Sequence, residues 1–323
     1  MRLETIRVIS VLGAGIMGHG IAQSFLMGGY PVVLYDIQES ILQRARSNIE
    51  KNLGLFLQAS LIEKREIELF LTRLTTTTDI KRAVEGSEFI VEAATEDLEL
   101  KQGLFEQVES FCKKEAILAS NTSSLTLAEM GLRVKNKERL VTTHWFNPPH
   151  IVPMVEVVKG EETSDDTVEV AFELLAKIKK VPVKINLELP GFLINRIQIA
   201  LYREVFDLYE KGVASAEDID RAVKGSFGFR LACIGPLRTA DLAGLDLWLK
   251  STWRLLPEIQ NSIDPPKILQ QLVAQGHYGI KSGKGFYEYG VDRSSDELLE
   301  AVQKRDRELL NLLKNLYGQN ENV

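Results

Sequence analysis

The sequence predicts an α/β protein: a doubly wound, mainly parallel sheet followed by an all-helical C-terminal domain. Three observations carry this reading. Short β-branched runs alternate with helical stretches as far as residue 185. A glycine-rich turn joins the first strand-like run to the first helix-like one. Strand signals then stop after Pro190-Gly191.

Residues 6–12 (IRVISVL) pass straight into GAGIMGHGIA, where glycine density thins into a helix ending near Gly28-Gly29. A second strand follows at 31–35 (PVVLY) with Asp36 directly behind it, so the opening unit is βαβ. Residues 38–73 are charged and helical in pattern, long enough for an inserted helical arm, with breaks available at Gly54 and around Ser60. Further apolar runs stand at 89–92, 117–119, 140–142, 154–158 and 181–185, mostly separated by helical segments. Such alternation is that of a mainly parallel sheet with helices on both faces.

Beyond Pro190, residues 192–212, 216–225 and 241–256 read as helices punctuated by Gly and Pro. The boundary is expected near Glu188, giving a dinucleotide-binding domain over 1–188 and a helical substrate and dimerisation domain over 189–323. A capping-box pattern at 294–297, then leucines at helical spacing through Leu316, predict a last helix that faces solvent or a partner.

At 323 residues the chain exceeds the usual size of one core, which supports two domains. A net charge of -6 leaves no excess of cations for a nucleic-acid backbone or an anionic membrane surface, so neither is expected as a partner. Cys112 and Cys233 stand far apart without a CxxC companion, which excludes a disulfide framework and a cysteine-held metal; both are expected as buried apolar residues. No apolar signal region precedes the first strand and no run reaches membrane-spanning length, so the expected setting is the cytoplasm.

Gly13, Gly15 and Gly18 form a GxGxxG pattern between a strand and a helix, the context of a Rossmann-type phosphate turn. The first glycine permits the tight turn, the second lets the backbone approach a pyrophosphate, and the third lets helix and strand pack closely. Asp36 sits where a carboxylate would hold the adenosine ribose hydroxyls, and it equally suits an N-cap of the next helix. Because Ile37 and Gln38 follow where a 2′-phosphate would need a basic residue, the expected cofactor is NAD.

Hydride transfer from an alcohol needs a base near the hydroxyl, a group that fixes the base, and donors around the carbonyl that forms. Of the four histidines, His144 alone ends a strand run, where ligand crevices form in such sheets, and it opens the segment HWFNPP. Position alone leaves a structural and a catalytic role evenly matched.

Five ordered motifs go further: VEAATE at 91–96, SNTSSL at 120–125, HWFNPPHIVPMVEVV at 144–158, GFLINR at 191–196 and KSGKGFYEY at 281–289. With the glycine turn, they make the chain resemble the 3-hydroxyacyl-CoA dehydrogenase family over nearly its whole length. The resemblance implies that His144 is the general base and that Glu156 pairs with its other ring nitrogen. Ser123 and Asn195 match residues that hydrogen-bond the reacting oxygen; each also fits a plain role, Ser123 as the cap of a helix starting near Thr126 and Asn195 at a helix start. By the same resemblance, Glu96, Lys101 and Asn121 are expected along the nicotinamide side of the dinucleotide, and a homodimer is expected through the helical domain.

Two departures bear on the substrate. Members acting on CoA thioesters commonly carry lysines in the helical arm, whereas residues 52–64 (NLGLFLQASLIEK) are apolar or neutral until their end. CoA-specific relatives tend to read PMGP where this chain has GFRLACIGP at 228–236, which looks more like the L-gulonate and carnitine dehydrogenase branch. A partly buried Arg230 would bind a free carboxylate there through two parallel hydrogen bonds, and it would equally serve as a surface or interface ion pair. The 3-hydroxyacyl-CoA reading leads and the small free hydroxy acid is its alternative; both share the same hydride chemistry.

Overall fold

The structure, a computed structural model, describes residues 2–289 and 296–317. Ser294, the cap expected for the last helix, lies outside the described residues. Two compact units emerge: residues 1–193 with 306–323, and residues 194–305.

In the first unit the chain runs β1 (Ile9–Leu12), α1 (Ile16–Met27), β2 (Val32–Tyr35), α2 (Glu39–Gln58), α3 (Lys64–Thr72), β3 (Leu74–Thr77), α4 (Ile80–Val84), β4 (Phe89–Glu92) and α5 (Leu98–Phe111). It continues through β5 (Ile117–Ser120), α6 (Leu127–Met130), β6 (Leu140–Trp145), β7 (Met154–Val158), α7 (Asp165–Lys177) and β8 (Val181–Ile185). These strands build one eight-stranded sheet in the order β3-β2-β1-β4-β5-β6-β7-β8. The order reverses between β1 and β4, which opens a crevice beyond the carboxyl ends of the strands, the usual place for a ligand in such sheets.

Successive side chains of a strand point to opposite faces, so the sheet sorts its residues into two cores. Val11 and Val141 join Ile21, Phe25 and Leu174 on one face, whereas Leu12 and Leu140 join Phe105, Val108 and Met130 on the other. β1, β4, β5 and β6 are buried along their whole length, which explains why none of them shows a regular alternation of apolar and polar residues.

One element departs from expectation. β3 was not foreseen, because LTTT at the sheet edge has neither a buried run nor a regular alternation and carries one apolar residue. The pairing of β6 with β7 is antiparallel, in a sheet whose other pairings are parallel. The helical arm breaks at the second predicted place: Ser60 adopts a left-handed φ of 56° just after α2, and Gly54 stays inside α2.

The second unit holds α8 (Ile194–Glu210), α9 (Ala216–Gly225), α10 (Phe227–Leu231), α11 (Pro236–Ala243), α12 (Leu245–Leu255) and α13 (Lys267–Ala274). Part of its packing is aromatic: Phe206 of α8 stacks on Phe286 with centroids 5.4 Å apart, and Tyr209 meets the same ring edge-on at 5.2 Å. None of α9 to α13 buries a residue. Cys233 is accordingly exposed and Cys112 half-buried, so neither is the buried core residue expected from the sequence.

The last helix, α14 (Asp296–Tyr317), belongs with the first unit from residue 306 onward. There Leu310 is fully buried, Leu309 and Leu313 pack on the same core as the arm residues Leu55 and Leu61, and Lys314 Nζ donates to the Ala59 carbonyl at 3.0 Å. The leucine spacing read in the sequence thus faces the arm. Among the described residues no helix is long and apolar enough to cross a membrane, and no cluster of His, Cys, Asp and Glu could hold a metal ion.

Candidate active site

The glycine turn has the geometry of a phosphate cradle. Gly13 adopts φ 99°, and a Cβ there would stand 2.6 Å from the Ala93 carbonyl oxygen. A Cβ on Gly18 would stand 1.7 Å from the Gly13 oxygen, so helix and turn touch only because that residue has no side chain. Gly15 is different: a Cβ there meets nothing within 4 Å, and no side chain caps the start of α1. Open space therefore lies in front of the first-turn amides, the place for an anion.

Asp36, behind β2, is buried, with Oδ2 accepting from the Ala14 amide at 2.9 Å and Oδ1 from the Gln38 amide at 3.2 Å. It does not cap α2, whose N-cap is Gln38. The carboxylate is instead tied to the glycine turn, and the apolar side chains of Ile16 and Ile37 beside it are exposed. Amides at the α1 start, open space at Gly15 and a carboxylate after β2 together fit a dinucleotide without a 2′-phosphate.

Across the strand reversal, the ends of β4 and β5 carry a closed polar network. Lys101 of α5 is buried, with Nζ on both oxygens of the buried Glu92 at 2.7 and 2.8 Å and on Glu96 Oε2 at 3.3 Å. Glu92 also accepts from the Ala94 amide at 2.7 Å and from Ser120 Oγ at 2.6 Å. Glu96 Oε1 accepts from Thr122 Oγ1 at 2.5 Å, the Ser123 amide at 3.1 Å and Ser124 Oγ at 2.9 Å. Burial raises the Glu96 carboxyl, but the donors from Thr122, Ser123 and Ser124 and the Lys101 charge outweigh it and hold the group below its ordinary value.

This network holds the 121–124 turn in place. Thr126 caps α6 itself, in a reciprocal box with Glu129, so Ser123 is not needed as a cap. Among the described residues the Ser123 hydroxyl makes no hydrogen bond, and its residue is exposed. Asn121 Oδ1 accepts from the Trp145 amide at 2.9 Å and so joins the end of β5 to β6.

His144 lies in β6, in register opposite Glu156 of the antiparallel β7. Its Nδ1 is 2.7 Å from Glu156 Oε2, with Glu156 fully buried and His144 nearly so. Glu156 Oε1 accepts from the Leu193 amide at 3.1 Å. The imidazole is further walled by Phe146 and Phe192, with centroids 4.5 and 5.5 Å away. A carboxylate on Nδ1 fixes the ring orientation and leaves Nε2 as the nitrogen that Glu156 does not engage.

The connection that follows His144 is clamped from below by Lys180, whose Nζ donates to the Pro149 and Val152 carbonyls at 2.6 and 3.0 Å and lies 5.3 Å from the Trp145 ring centroid. Burial pushes this ammonium down to about 7. Ser24 of α1 donates to the same Pro149 oxygen at 3.3 Å.

Of the residues singled out in the sequence, Gly13, Gly15, Gly18 and Asp36 come together at the turn, and Glu96, Lys101, Asn121 and Ser123 come together at the β4 and β5 ends. Lys101 is enclosed, and it reaches the outside only through Glu96. Asn195 lies in the first turn of α8 and Arg230 on α10, both in the second unit. Arg230 is exposed and its guanidinium makes no ion pair among the described residues, which corrects the partly buried position expected of it. Glu92, Thr122 and Lys180 were missed by sequence reading. A carboxylate ending a fully apolar strand was the available signal for Glu92; nothing in the local sequence marks Lys180.

Comparison with known proteins fits this arrangement. Residues 8–188 match the model of the 3-hydroxyacyl-CoA dehydrogenase NAD-binding domain, and residues 191–289 that of the 3-hydroxyacyl-CoA dehydrogenase C-terminal domain. The chain is 33% identical over 302 residues to 5-formyl-3-hydroxy-2-methylpyridine 4-carboxylate 5-dehydrogenase of Mesorhizobium japonicum, spanning 93% of this chain and 96% of that one. A crystal structure of an enzyme of that name, described as an NAD+ dependent dismutase, superposes with TM-score 0.88 at 32% identity, covering 98% of this chain and all (100%) of that one. The (S)-3-hydroxybutyryl-CoA dehydrogenase of Ralstonia eutropha superposes with TM-score 0.73 at 31% identity, covering 88% of this chain and 100% of that one.

Proposed function

The chain belongs to the 3-hydroxyacyl-CoA dehydrogenase family of NAD-dependent oxidoreductases, and on that premise we propose that it interconverts a 3-hydroxyacyl substrate and its 3-oxo form through the His144–Glu156 pair. Bound NAD supplies the hydride-accepting carbon. The chain's own side chains do the rest. His144 Nε2 takes the hydroxyl proton as the C–H bond breaks, and Glu156 keeps Nδ1 protonated and stabilises the imidazolium that results. The free Ser123 hydroxyl hydrogen-bonds the reacting oxygen, and Asn195 is assigned to the same oxygen. Asp36 holds the adenosine ribose, while Glu96 and Asn121 serve the nicotinamide half; Lys101 acts there as a positioning residue through Glu92 and Glu96.

The observation that carries this reading is a buried carboxylate 2.7 Å from one nitrogen of a histidine at the carboxyl end of a strand. Its test is the initial rate of NADH formation with NAD+ and a panel of L-3-hydroxybutyryl-CoA, L-gulonate, carnitine and 3-hydroxybutyrate. Turnover of any member that collapses in His144→Gln supports the reading. Undiminished turnover in that variant removes it.

A second reading of the substrate rests on a specific observation. The relative that matches this chain over 98% of its length, at TM-score 0.88, is named for a pyridine carboxylic acid, against 0.73 for the butyryl-CoA enzyme. An exposed Arg230 without a partner suits a free carboxylate, and the arm at 52–64 offers no cation before Lys64. Activity confined to the free acids and lost in Arg230→Ala supports this alternative. Activity confined to the thioester supports the CoA substrate.

We also propose a homodimer through the helical unit. Leu237, Leu242, Leu245, Trp248 and Trp253 are 83, 73, 62, 49 and 77% exposed, a concentration of large apolar groups that calls for a cover.

A further inference from the structure

The network at the ends of β4 and β5 leaves a charge uncompensated. Glu92 and Lys101 are both buried and joined through both carboxylate oxygens, so their charges cancel. Glu96 shares the same ammonium at a longer 3.3 Å, and two carboxylates against one ammonium leave the group with a single net negative charge. Among the described residues no second cation lies within ion-pair distance of either carboxylate. That charge resides on Glu96, whose side chain is 38% exposed and which three donors from the 122–124 turn keep ionised.

Topology says what faces it. Asp36 behind β2 takes the adenosine end, and a dinucleotide crosses such a sheet where the strand order reverses, so its other half lies over β4 and β5. The two redox forms of that half differ by one positive charge, since the nicotinamide ring is cationic when oxidised and neutral when reduced. The adenosine and pyrophosphate are the same in both.

We propose that the uncompensated Glu96 carboxylate discriminates between the redox forms of the cofactor, strengthening NAD+ binding relative to NADH. The inference rests on the assignment of the first unit as an NAD site and adds to it a preference set by one side chain. Lys101 limits the effect, since its one charge is shared by two carboxylates: a second ammonium at this place would neutralise the cluster and erase the preference.

Titration calorimetry of the full-length protein with NAD+ and with NADH, in the absence of substrate, tests this without reference to turnover. Glu96→Gln keeps the shape and removes the charge. The ratio Kd(NAD+)/Kd(NADH) is expected to rise about tenfold over wild type, equivalent to ~1.4 kcal/mol. Asp36→Asn, at the end common to both forms, is expected to weaken both equally and leave the ratio unchanged. In the wild type, raising KCl from low to high concentration is expected to weaken NAD+ more than NADH, because a half-exposed charge is screened. A ratio unmoved in a folded Glu96→Gln overturns the inference while leaving the cofactor assignment standing. Should that variant not fold, a wild-type ratio insensitive to salt overturns it equally. Failure of the wild type to bind either nucleotide would instead remove the underlying assignment.

Discussion

At His144 the ring nitrogen held by Glu156 and the one left for substrate divide the proposed work, and each is open to a separate test. Replacing His144 with Gln is expected to lower kcat by about 10²- to 10⁴-fold, while calorimetry shows NAD+ binding retained, because the cradle at Gly13 to Gly18 is elsewhere on the sheet. Glu156→Gln keeps the side-chain length but loses the charge, and a comparable fall of about 10²- to 10⁴-fold is expected with little change in KM. Glu96 adds a pH dependence with a defined sign. Its carboxyl is lowered in the folded chain, so its stabilising contribution is complete at neutral pH and is lost as pH falls below the ordinary value of 4.5 and through the folded one. Urea midpoints of wild type and Glu96→Gln should therefore converge on acidification. A constant gap would deny Glu96 that role. The pairing of His144 with Glu156 was legible in the sequence from its motifs. The surroundings of Lys101 were not, because a lysine four residues past the end of a small loop looks like any solvated helix charge until the fold encloses it.

Among the elements, the first βαβ unit was readable almost residue by residue, since strand, glycine turn and helix leave three different patterns in consecutive segments. Gly18 shows why the turn tolerates so little. A Cβ there would overlap the Gly13 oxygen at 1.7 Å, so Gly18→Ala is expected to destabilise the unit by several kcal/mol, of the order of ~3, measurable as a lowered urea midpoint. β3 escaped notice because an edge strand of threonines has neither a buried run nor a regular alternation. The β6–β7 connection is governed by Lys180, whose two carbonyl contacts depend on distant parts of the chain meeting. Its ammonium is pushed from 10.5 down to about 7, so its charged form is disfavoured in the folded chain. The stability this group contributes is present above about 10.5 and is lost progressively as pH falls towards about 7. Relative to Lys180→Met, the wild type should gain stability between neutral and alkaline pH; a difference independent of pH over that window would contradict the burial of an uncharged amine.

For the molecule as a whole, periodicity separated a sheet unit from a helical one. What composition could not convey is how incompletely the helical unit covers itself: α9 to α13 bury nothing, although α10 to α13 carry large apolar side chains such as Phe229, Leu237, Trp248 and Val273. Light scattering on the eluted protein is expected to give twice the mass of a 36.3 kDa chain, and Trp253→Glu with Leu237→Glu to return it to one; a monomeric wild type would leave those side chains unexplained. The substrate class was the least legible feature, since no periodic pattern encodes the side chains that meet a substrate. The antiparallel pairing of β6 with β7 has a last consequence, for inheritance. Parallel neighbours need a helical crossover between them, but these two strands are joined directly, so His144 and Glu156 stand 12 positions apart in one short hairpin. The proposed reactive pair therefore passes from ancestor to descendant as a single unbroken cassette.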